Sequence, residues 1–313
     1  MDEEFNVTYI TLGGHVEVHK YRFLYFVIMF IAYILIICSN STIVYLIVIN
    51  RTLHEPMYIF IAALLINSVL FSTAVYPKLL IDFLSEKQVI SYAACLFQGF
   101  VFYALGGSEF LLLAAMAYDR YVSICNPLQY SNVMTKRTVC IFLALAWILP
   151  AGELVPSAVI NVNRKLCRYI LTAIYCNNSV FKLHCVSSRA QSIYGVVILL
   201  NVALFPMLFV LFTYIRIFTI TYRSCREVRR KAAETCLPHM LVLINFSLLC
   251  TYDIIIVRLE SDIPKPLGLI MTFQLILYHP LVNPIIYGLK MKEISKHLKQ
   301  LFCQVKINLC YQY

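Results

Sequence analysis

Charged side chains are scarce in this sequence. They make up 13% of its 313 residues, about half the share found in an ordinary soluble domain. Hydrophobic residues make up 61%. The shortage runs along the whole chain, so it excludes a soluble domain with one membrane anchor and places most of the chain in lipid. The first twenty residues have no apolar core and carry Asp2, Glu3, Glu4 and Glu17. No signal peptide is expected there, and the first apolar run would itself direct the chain to the membrane. Internal repeats are missing, as is any matching pair of segments broken by Gly or Pro, which argues against a transporter built from echoing halves. No run of intramembrane arginines suggests a voltage sensor, and no filter-like loop suggests a channel. No nucleophile sits in a strand-to-helix turn, and His239 and His279 are isolated, so an enzyme is not expected. No basic helix is interleaved with aromatics, so the net charge of +10 is not a nucleic-acid footprint.

What is present is a series of apolar runs of membrane length. Seven can be drawn, at roughly 23–50, 57–84, 92–125, 137–161, 191–222, 227–257 and 265–289. The sixth begins in charge and becomes apolar only after Pro238. The expected fold is therefore an all-α membrane protein, a bundle of seven transmembrane helices over 23–289. An N-terminal segment, 1–22, precedes it, and an amphipathic helix and tail, 290–313, follow it. In that last segment Met291, Ile294, Leu298, Leu301 and Phe302 recur at three- and four-residue steps between lysines, a pattern suited to a membrane surface. Cys303 at its end is a candidate for palmitoylation.

Basic loops set the expected orientation. Arg51, Lys136, Arg137, the cluster from Arg223 to Lys231, and the lysines after Lys290 fall on one side, which places the C-terminus in the cytoplasm and the N-terminus outside. The outer N-terminal segment then offers a glycosylation sequon, Asn6-Val7-Thr8. Cys95, Cys167, Cys176 and Cys185 lie on the oxidising side. Four cysteines allow three pairings, and the residues alone do not choose between them.

Polar residues inside apolar runs are costly in lipid and mark candidate sites. Asn40, Asn67, Ser68, Glu109, Asn245, Ser247 and Asn283 are such residues. Glu109 stands out because it precedes Asp119 by ten residues, about 15 Å along a helix axis. A carboxylate at that depth must be protonated, paired or bound to a cation. Asn40, Ser68 and Asn283 offer oxygens for a sodium ion beside Glu109. The competing reading is a protonated Glu109 hydrogen-bonded to a neighbouring helix.

Four stretches carry a family resemblance. MAYDRYVSICNPLQY (116–130) resembles the MAYDRYVAICxPLxY signature of odorant receptors, within the rhodopsin-like G-protein-coupled receptors. PMYIFIAALLINSVLFSTAVYPKLL (56–80) resembles the PMYxFL…PK stretch of that family. Lys231, Ala232, Thr235, Cys236 and His239 resemble its KAxxTCxxH pattern, and NPIIYGLK (283–290) resembles NPxIYxLR. Trp147 falls where such receptors keep a tryptophan in the fourth span. LPHMLVLINFS and KLHCVSS are similar to fish-type odorant receptors.

The resemblance implies a receptor that binds a small-molecule odorant in the outer half of the bundle. It would activate a heterotrimeric G protein of the stimulatory, olfactory type and raise cyclic AMP. The implied setting is the plasma membrane of olfactory sensory neuron cilia, in contact with lipid. No cofactor is implied beyond the sodium ion, and no nucleic acid. Two bridges are implied, Cys95–Cys176 and Cys167–Cys185, with a glycan at Asn6. Asp119, Arg120 and Tyr121 would form the activation switch together with Tyr214, His239, Asn283, Pro284 and Tyr287. Phe102, Tyr103, Gly106, Ile198, Asn201, Thr251, Tyr252 and Phe273 would line the ligand pocket between spans three, five, six and seven. The chain departs from the family at Ser68, where most members carry an acid, and at Ser247, where an aromatic is usual in span six. A rhodopsin-like receptor for a non-odorant small ligand is the alternative, and a transporter or channel a more distant one.

Overall fold

The computed structural model describes residues 8–15, 18–186, 188–222, 226–259, 269 and 272–311. Its long apolar runs are helices, because lipid leaves backbone groups no partner outside their own segment. In order these are α1 (Val18–Ile49), α2 (Pro56–Leu84), α3 (Tyr92–Cys125), the short α4 (Tyr130–Val133) and α5 (Lys136–Val162). Then follow α6 (Arg189–Leu199) and α7 (Phe205–Tyr222), joined through one wide π turn, Leu200–Leu204. Last come α8 (Arg226–Leu259), a second π turn (Gln274–Tyr278) that runs into α9 (His279–Lys290), and α10 (Lys292–Tyr311).

Helix starts follow local chemistry. Pro56 opens α2, where its missing N–H costs nothing. Ser91, Thr135 and Ser188 cap α3, α5 and α6 by accepting from a backbone N–H three residues on. Helix α1 begins at Val18, inside the segment expected to precede the bundle.

Five helical stretches are long and apolar enough to cross a membrane: Lys20–Ile49, Pro56–Leu84, Tyr92–Cys125, Lys136–Val162 and Arg189–Tyr222. In α8 the apolar stretch is shorter, Cys236–Cys250, in keeping with the charged start of the sixth run. The beginning of the seventh run falls largely outside the described residues. The architecture is that of a multi-pass helical membrane protein.

Helix α3 is the axis of the bundle and packs on α2, α5, α7 and α8. Its face and that of α2 carry most of the core, including Leu64, Phe71, Tyr76, Leu112 and Met116. The large side chains exposed on α1, α5 and α7, such as Leu35, Ile148 and Phe212, suit lipid contact. In α10, Met291 just before it and Ile294 within it are buried while Lys292, Lys296 and Lys299 are turned outward to differing degrees, as the spacing predicts.

One end of the bundle holds a small sheet the sequence did not announce. Strand β1 (Tyr9–Leu12) pairs antiparallel with β2 (Val89–Ser91) and parallel with β3 (Ile170–Leu171), in the order β2-β1-β3. Ile10 and Leu12 point inward and meet Ile90, Leu171, Val180 and Leu183 in a second, separate core. Gly14 is required where the chain leaves the sheet: a Cβ there would lie 2.5 Å from the backbone carbonyl carbon of Ala173. Residues 8–15 are thus a structural part of this end.

Candidate functional site

Both implied bridges are formed. Cys95–Cys176 fastens the 163–188 loop to the start of α3, and Cys167–Cys185 closes that loop on itself. Gln98 reinforces the first by accepting from the Cys176 N–H at 3.0 Å and donating to the Ala74 carbonyl at 2.9 Å. Held this way, the loop roofs a cavity of about 420 Å³ next to α3, α5, α8 and the α6–α7 junction.

Aromatic rings dominate the inner wall, among them Phe71, Phe102, Phe110 and Phe246. Phe102 is buried and packs on Phe71 and Tyr175, with centroids 4.6 and 4.8 Å away. Toward the roof the lining turns polar, with Ser157, Lys182, His184 and Gln191. The Tyr103 hydroxyl accepts from the Asn178 N–H at 3.0 Å and so holds the roof to α3. His184 lies 2.9 Å from the Tyr92 hydroxyl. Burial, and to a lesser degree Arg164, lower its pKa below the ordinary histidine value, which leaves the ring neutral at physiological pH. A pocket with an apolar body and a few polar groups suits a small amphiphilic molecule.

Of the expected lining residues, Phe102, Tyr103, Gly106 and Ile198 face this cavity. Asn201 does not; it is exposed on the outside of the bundle. The π turn spanning Leu200–Leu204 adds a residue to one turn, so the inward face passes from Ile198 to Val202 and Ala203. Phe273 is also outside the lining. It packs toward Tyr25, 6.5 Å away, and after the second π turn begins it is Leu275 that reaches the cavity. The side chains of Thr251 and Tyr252 lie outside the described residues. Sequence reasoning missed the contribution of α5, through Pro150, Leu154 and Ser157, and of the roof. The paired cysteines were the one signal that the loop folds inward.

The two adjacent glycines of α3 differ in purpose. A Cβ at Gly106 would make ordinary contact with Phe246 at 4.0 Å, whereas one at Gly107 would lie 2.4 Å from Val202 and 2.8 Å from Pro150. Gly107 is where α3 closely approaches both α5 and the α6–α7 junction. Gly107→Ala is expected to cost about 1–3 kcal/mol by overpacking and to lower the unfolding temperature of the purified chain. Gly106→Ala is expected to leave that temperature nearly unchanged.

Beneath the cavity lies a polar junction. Glu109, 2% exposed, accepts from Asn67 Nδ2 at 3.1 Å and from Asn283 Nδ2 at 3.1 Å, and its Oε1 lies 3.1 Å from His279 Nε2. Asn67 Oδ1 accepts from Trp147 Nε1 at 3.2 Å, and Asn283 Nδ2 also reaches Ser68 Oγ at 3.0 Å. One cluster therefore ties α2, α3, α5 and α9 together. His279, isolated in the sequence, is a full member of it. Its position four residues before Asn283 puts both on one helix face, and that spacing was the available clue.

Asn40 belongs elsewhere. It donates to the Ile36 carbonyl at 2.8 Å and to the Pro280 carbonyl at 3.0 Å. Pro284 has no N–H to offer the carbonyl four residues back, so Pro280 needs an outside donor, and Asn40 provides it. Of the residues expected to hold a sodium ion, Ser68 and Asn283 stand with Glu109 in the junction and Asn40 does not touch it. The Glu109 carboxylate faces the amide nitrogens of Asn67 and Asn283 and His279 Nε2, and Asn40 Nδ2 is engaged with Pro280, while Asn40 Oδ1 and Asn283 Oδ1 are buried without a hydrogen-bond partner among the described residues.

At the opposite end of α3, Asp119 is fully buried and accepts from Arg120 Nε at 2.8 Å, from Arg120 Nη2, and from the Tyr130 O–H at 2.8 Å. Burial first, and then the neighbouring Asp119 carboxylate, raise the Tyr130 pKa above the ordinary phenol value, so it remains a neutral donor. The first and last parts of the MAYDRYVSICNPLQY stretch thus close on each other. Tyr214, His239, Pro284 and Tyr287 are buried nearby, with His239 Nδ1 at 3.4 Å from the Tyr287 hydroxyl. The Tyr214 hydroxyl is buried without a hydrogen-bond partner among the described residues. Tyr121 is only partly buried, and Asn283 belongs to the polar junction instead. Arg120 also borders a second cavity of about 510 Å³, lined with Tyr58, Glu234 and Lys292. Across it Lys292 donates to Glu234 at 2.6 Å, and Arg230 donates to the same carboxylate at 2.9 Å. The Lys292 contact ties α8 to α10, and the Arg230 contact lies within α8.

Comparison with known proteins agrees with this arrangement. A family model described as "Olfactory receptor" matches residues 28–305. The chain is 32% identical to olfactory receptor 51E1 of Homo sapiens over 301 residues, covering 96% of this chain and 95% of the relative. It is 32% identical to olfactory receptor 52A1 of Homo sapiens over 276 residues, covering 87% and 88%. Olfactory receptor 13C2 of Homo sapiens is also 32% identical, over 302 residues, covering 93% and 92%. With these matches across nearly its whole length, the chain belongs to the olfactory receptor family of G-protein-coupled receptors, a family of receptors and not of enzymes.

Proposed function

We propose that this chain is an odorant receptor with seven membrane spans, its small sheet outside the cell and α10 in the cytoplasm. The basic residues near Arg51, Lys136 and Lys290 support that orientation. Its setting would be the plasma membrane of olfactory sensory neuron cilia, with a glycan on Asn6, which lies outside the described residues. The fish-type subgroup rests on the phrases LPHMLVLINFS and KLHCVSS alone.

The single observation that carries the reading is an aromatic cavity of about 420 Å³ at one end of α3 with the Arg120–Asp119–Tyr130 cluster at the other. A small odorant in the cavity favours a second state of the bundle. In that state Arg120 leaves Asp119, Tyr214 and Tyr287 close around it, and the start of α8 moves away from α10. A helix of a stimulatory, olfactory-type G protein then docks in the opened space, and cyclic AMP rises.

The test is a panel of volatile and water-soluble odorants applied to cells expressing the full chain with that G protein. A dose-dependent rise in cyclic AMP, absent in untransfected cells, is the expected result. Ion or solute flux without any G-protein response would overturn the reading in favour of a channel or transporter.

The charged tie between α8 and α10 has a separate consequence. Glu234 is accessible, so its contacts with Arg230 and Lys292 are screened by solvent and individually weak. Glu234→Gln is expected to raise odorant-independent cyclic AMP modestly, by roughly twofold. Glu234→Lys combined with Lys292→Glu is expected to bring it back, and an unchanged baseline in every variant would show that the tie does not restrain the receptor.

A further inference from the structure

We propose that the ligand of this cavity is an amphiphile with an anionic head, a carboxylate in the simplest case, held at the roof by Lys182 with its apolar tail on the aromatic floor. The inference rests on reading the cavity as the odorant site. Lys182 lines it, and no Asp or Glu is among the described residues that do. Glu153 sits on α5 next to Leu154 but is not part of the lining, and Glu109 is engaged with His279 in the junction below. An ammonium head would meet a cation and no counter-charge. A neutral molecule would fill the aromatic body but gain nothing from the charge of Lys182. A carboxylate gains a charge-assisted hydrogen bond, roughly twice as strong as one between neutral groups. Ser157 and Ser192 add hydroxyl groups to the same lining.

The surroundings of Lys182 carry the same sign. The sequence has no acid between Glu153 and Glu227, and within that stretch the roof loop holds Arg164, Lys165, Arg168 and Lys182. The Cys167–Cys185 bridge closes this loop, and the Cys167 and Arg168 N–H groups both donate to the Leu183 carbonyl, at 2.9 and 3.1 Å. The Lys165 carbonyl accepts from the Cys185 N–H at 3.2 Å. These contacts lay Lys165 and Arg168 alongside the segment that carries Lys182. Like charges gathered in this way repel one another, and an anion at the cavity mouth relieves the repulsion. Their combined field also draws an anion toward the opening, more strongly at low salt. Burial, and then the Arg164 charge, keep His184 neutral, so that ring adds no second cation to the lining.

The test compares straight-chain carboxylates, hexanoate to dodecanoate, with the alcohols and amines of the same length. One readout is the unfolding temperature of the purified full chain in detergent with each compound, which needs no G protein. The other is cyclic AMP in cells expressing the full chain, per receptor at the cell surface. Each is repeated with Lys182→Gln, with Lys182→Glu, and with Lys165→Gln and Arg168→Gln together. Lys182 is exposed, so the fold does not depend on it.

Carboxylates are expected to act at concentrations roughly tenfold below the matched alcohols, and amines not at all. Lys182→Gln is expected to remove most of that preference while leaving the alcohols as they were, and Lys182→Glu to turn it toward the amines. The Lys165→Gln and Arg168→Gln pair is expected to weaken carboxylate binding by roughly two- to threefold and to flatten its dependence on salt. A preference for alcohols or amines in the unaltered chain overturns the proposal, as does a panel in which no carboxylate changes either readout. A carboxylate preference that survives Lys182→Gln and Lys182→Glu overturns it too, because adsorption to detergent or lipid would look the same. Carboxylates that shift the unfolding temperature without raising cyclic AMP leave the ligand class standing and count against the odorant-receptor reading instead.

Discussion

Arg120→Ala is expected to abolish odorant-evoked cyclic AMP, a loss of at least about tenfold per surface receptor if the guanidinium is the group that turns inward to the G protein. In the present arrangement Arg120 is 8% exposed and gives two N–H groups to a single oxygen of Asp119. Tyr130 supplies the third donor to that carboxylate. Removing Arg120 leaves a buried carboxylate with one phenol, a change that costs about 3–5 kcal/mol in comparable buried pairs. Surface display is therefore expected to fall as well, and the signal must be counted per displayed receptor. Arg120→Lys keeps the charge but not the planar pair of donors, so it is expected to fall between the two. Asp119→Asn acts with the opposite sign. It weakens the hold on Arg120 while leaving the guanidinium in place, and is expected to raise signalling without odorant. Normal evoked signalling by Arg120→Ala at normal display would refute the switch.

The second large effect concerns Glu109. Glu109→Leu removes the acceptor of Asn67 and Asn283 and the partner of His279 in one step. Breaking a buried pair by deleting one member costs about 3–5 kcal/mol; here Asn283 and Asn67 keep Ser68 Oγ and the Leu105 carbonyl, and the loss falls mainly on His279. The purified full chain in detergent is expected to unfold at a clearly lower temperature. Glu109→Gln keeps the shape and an acceptor oxygen, so its loss is expected nearer the cost of one unsatisfied group, about 1–3 kcal/mol. Glu109→Leu with His279→Phe removes both members of the pair and is expected to recover part of the stability. An unfolding temperature unchanged by Glu109→Leu would mean that Glu109 does not hold this junction.

Several features are legible in the residues themselves. Apolar runs of membrane length become helices because lipid offers the backbone no other partner, so α1 to α3, α5 and the α6–α7 stretch follow from composition. The four cysteines that would share one side do share one end, and the family resemblance supplies the pairing that spacing cannot. The stretch from Met116 to Tyr130 marks its own end of the bundle. There Asp119, Arg120 and Tyr130 meet because a helix and its following turn bring near neighbours together.

Tertiary structure decided the rest. His279 meets Glu109 from a distant part of the chain only because α9 packs into the same junction as α3, and Asn40 finds the Pro280 carbonyl rather than Glu109. Asn201 turns outward because a wide turn slips the helical register, which residue types do not reveal. Strand β1 exists because β2 and β3 bring it unpaired edges, not because residues 9–12 announce a strand. The physical reason is common to these cases. Sequence determines the period of each helix, since its backbone hydrogen bonds are local; which face meets which neighbour is settled by packing between distant segments.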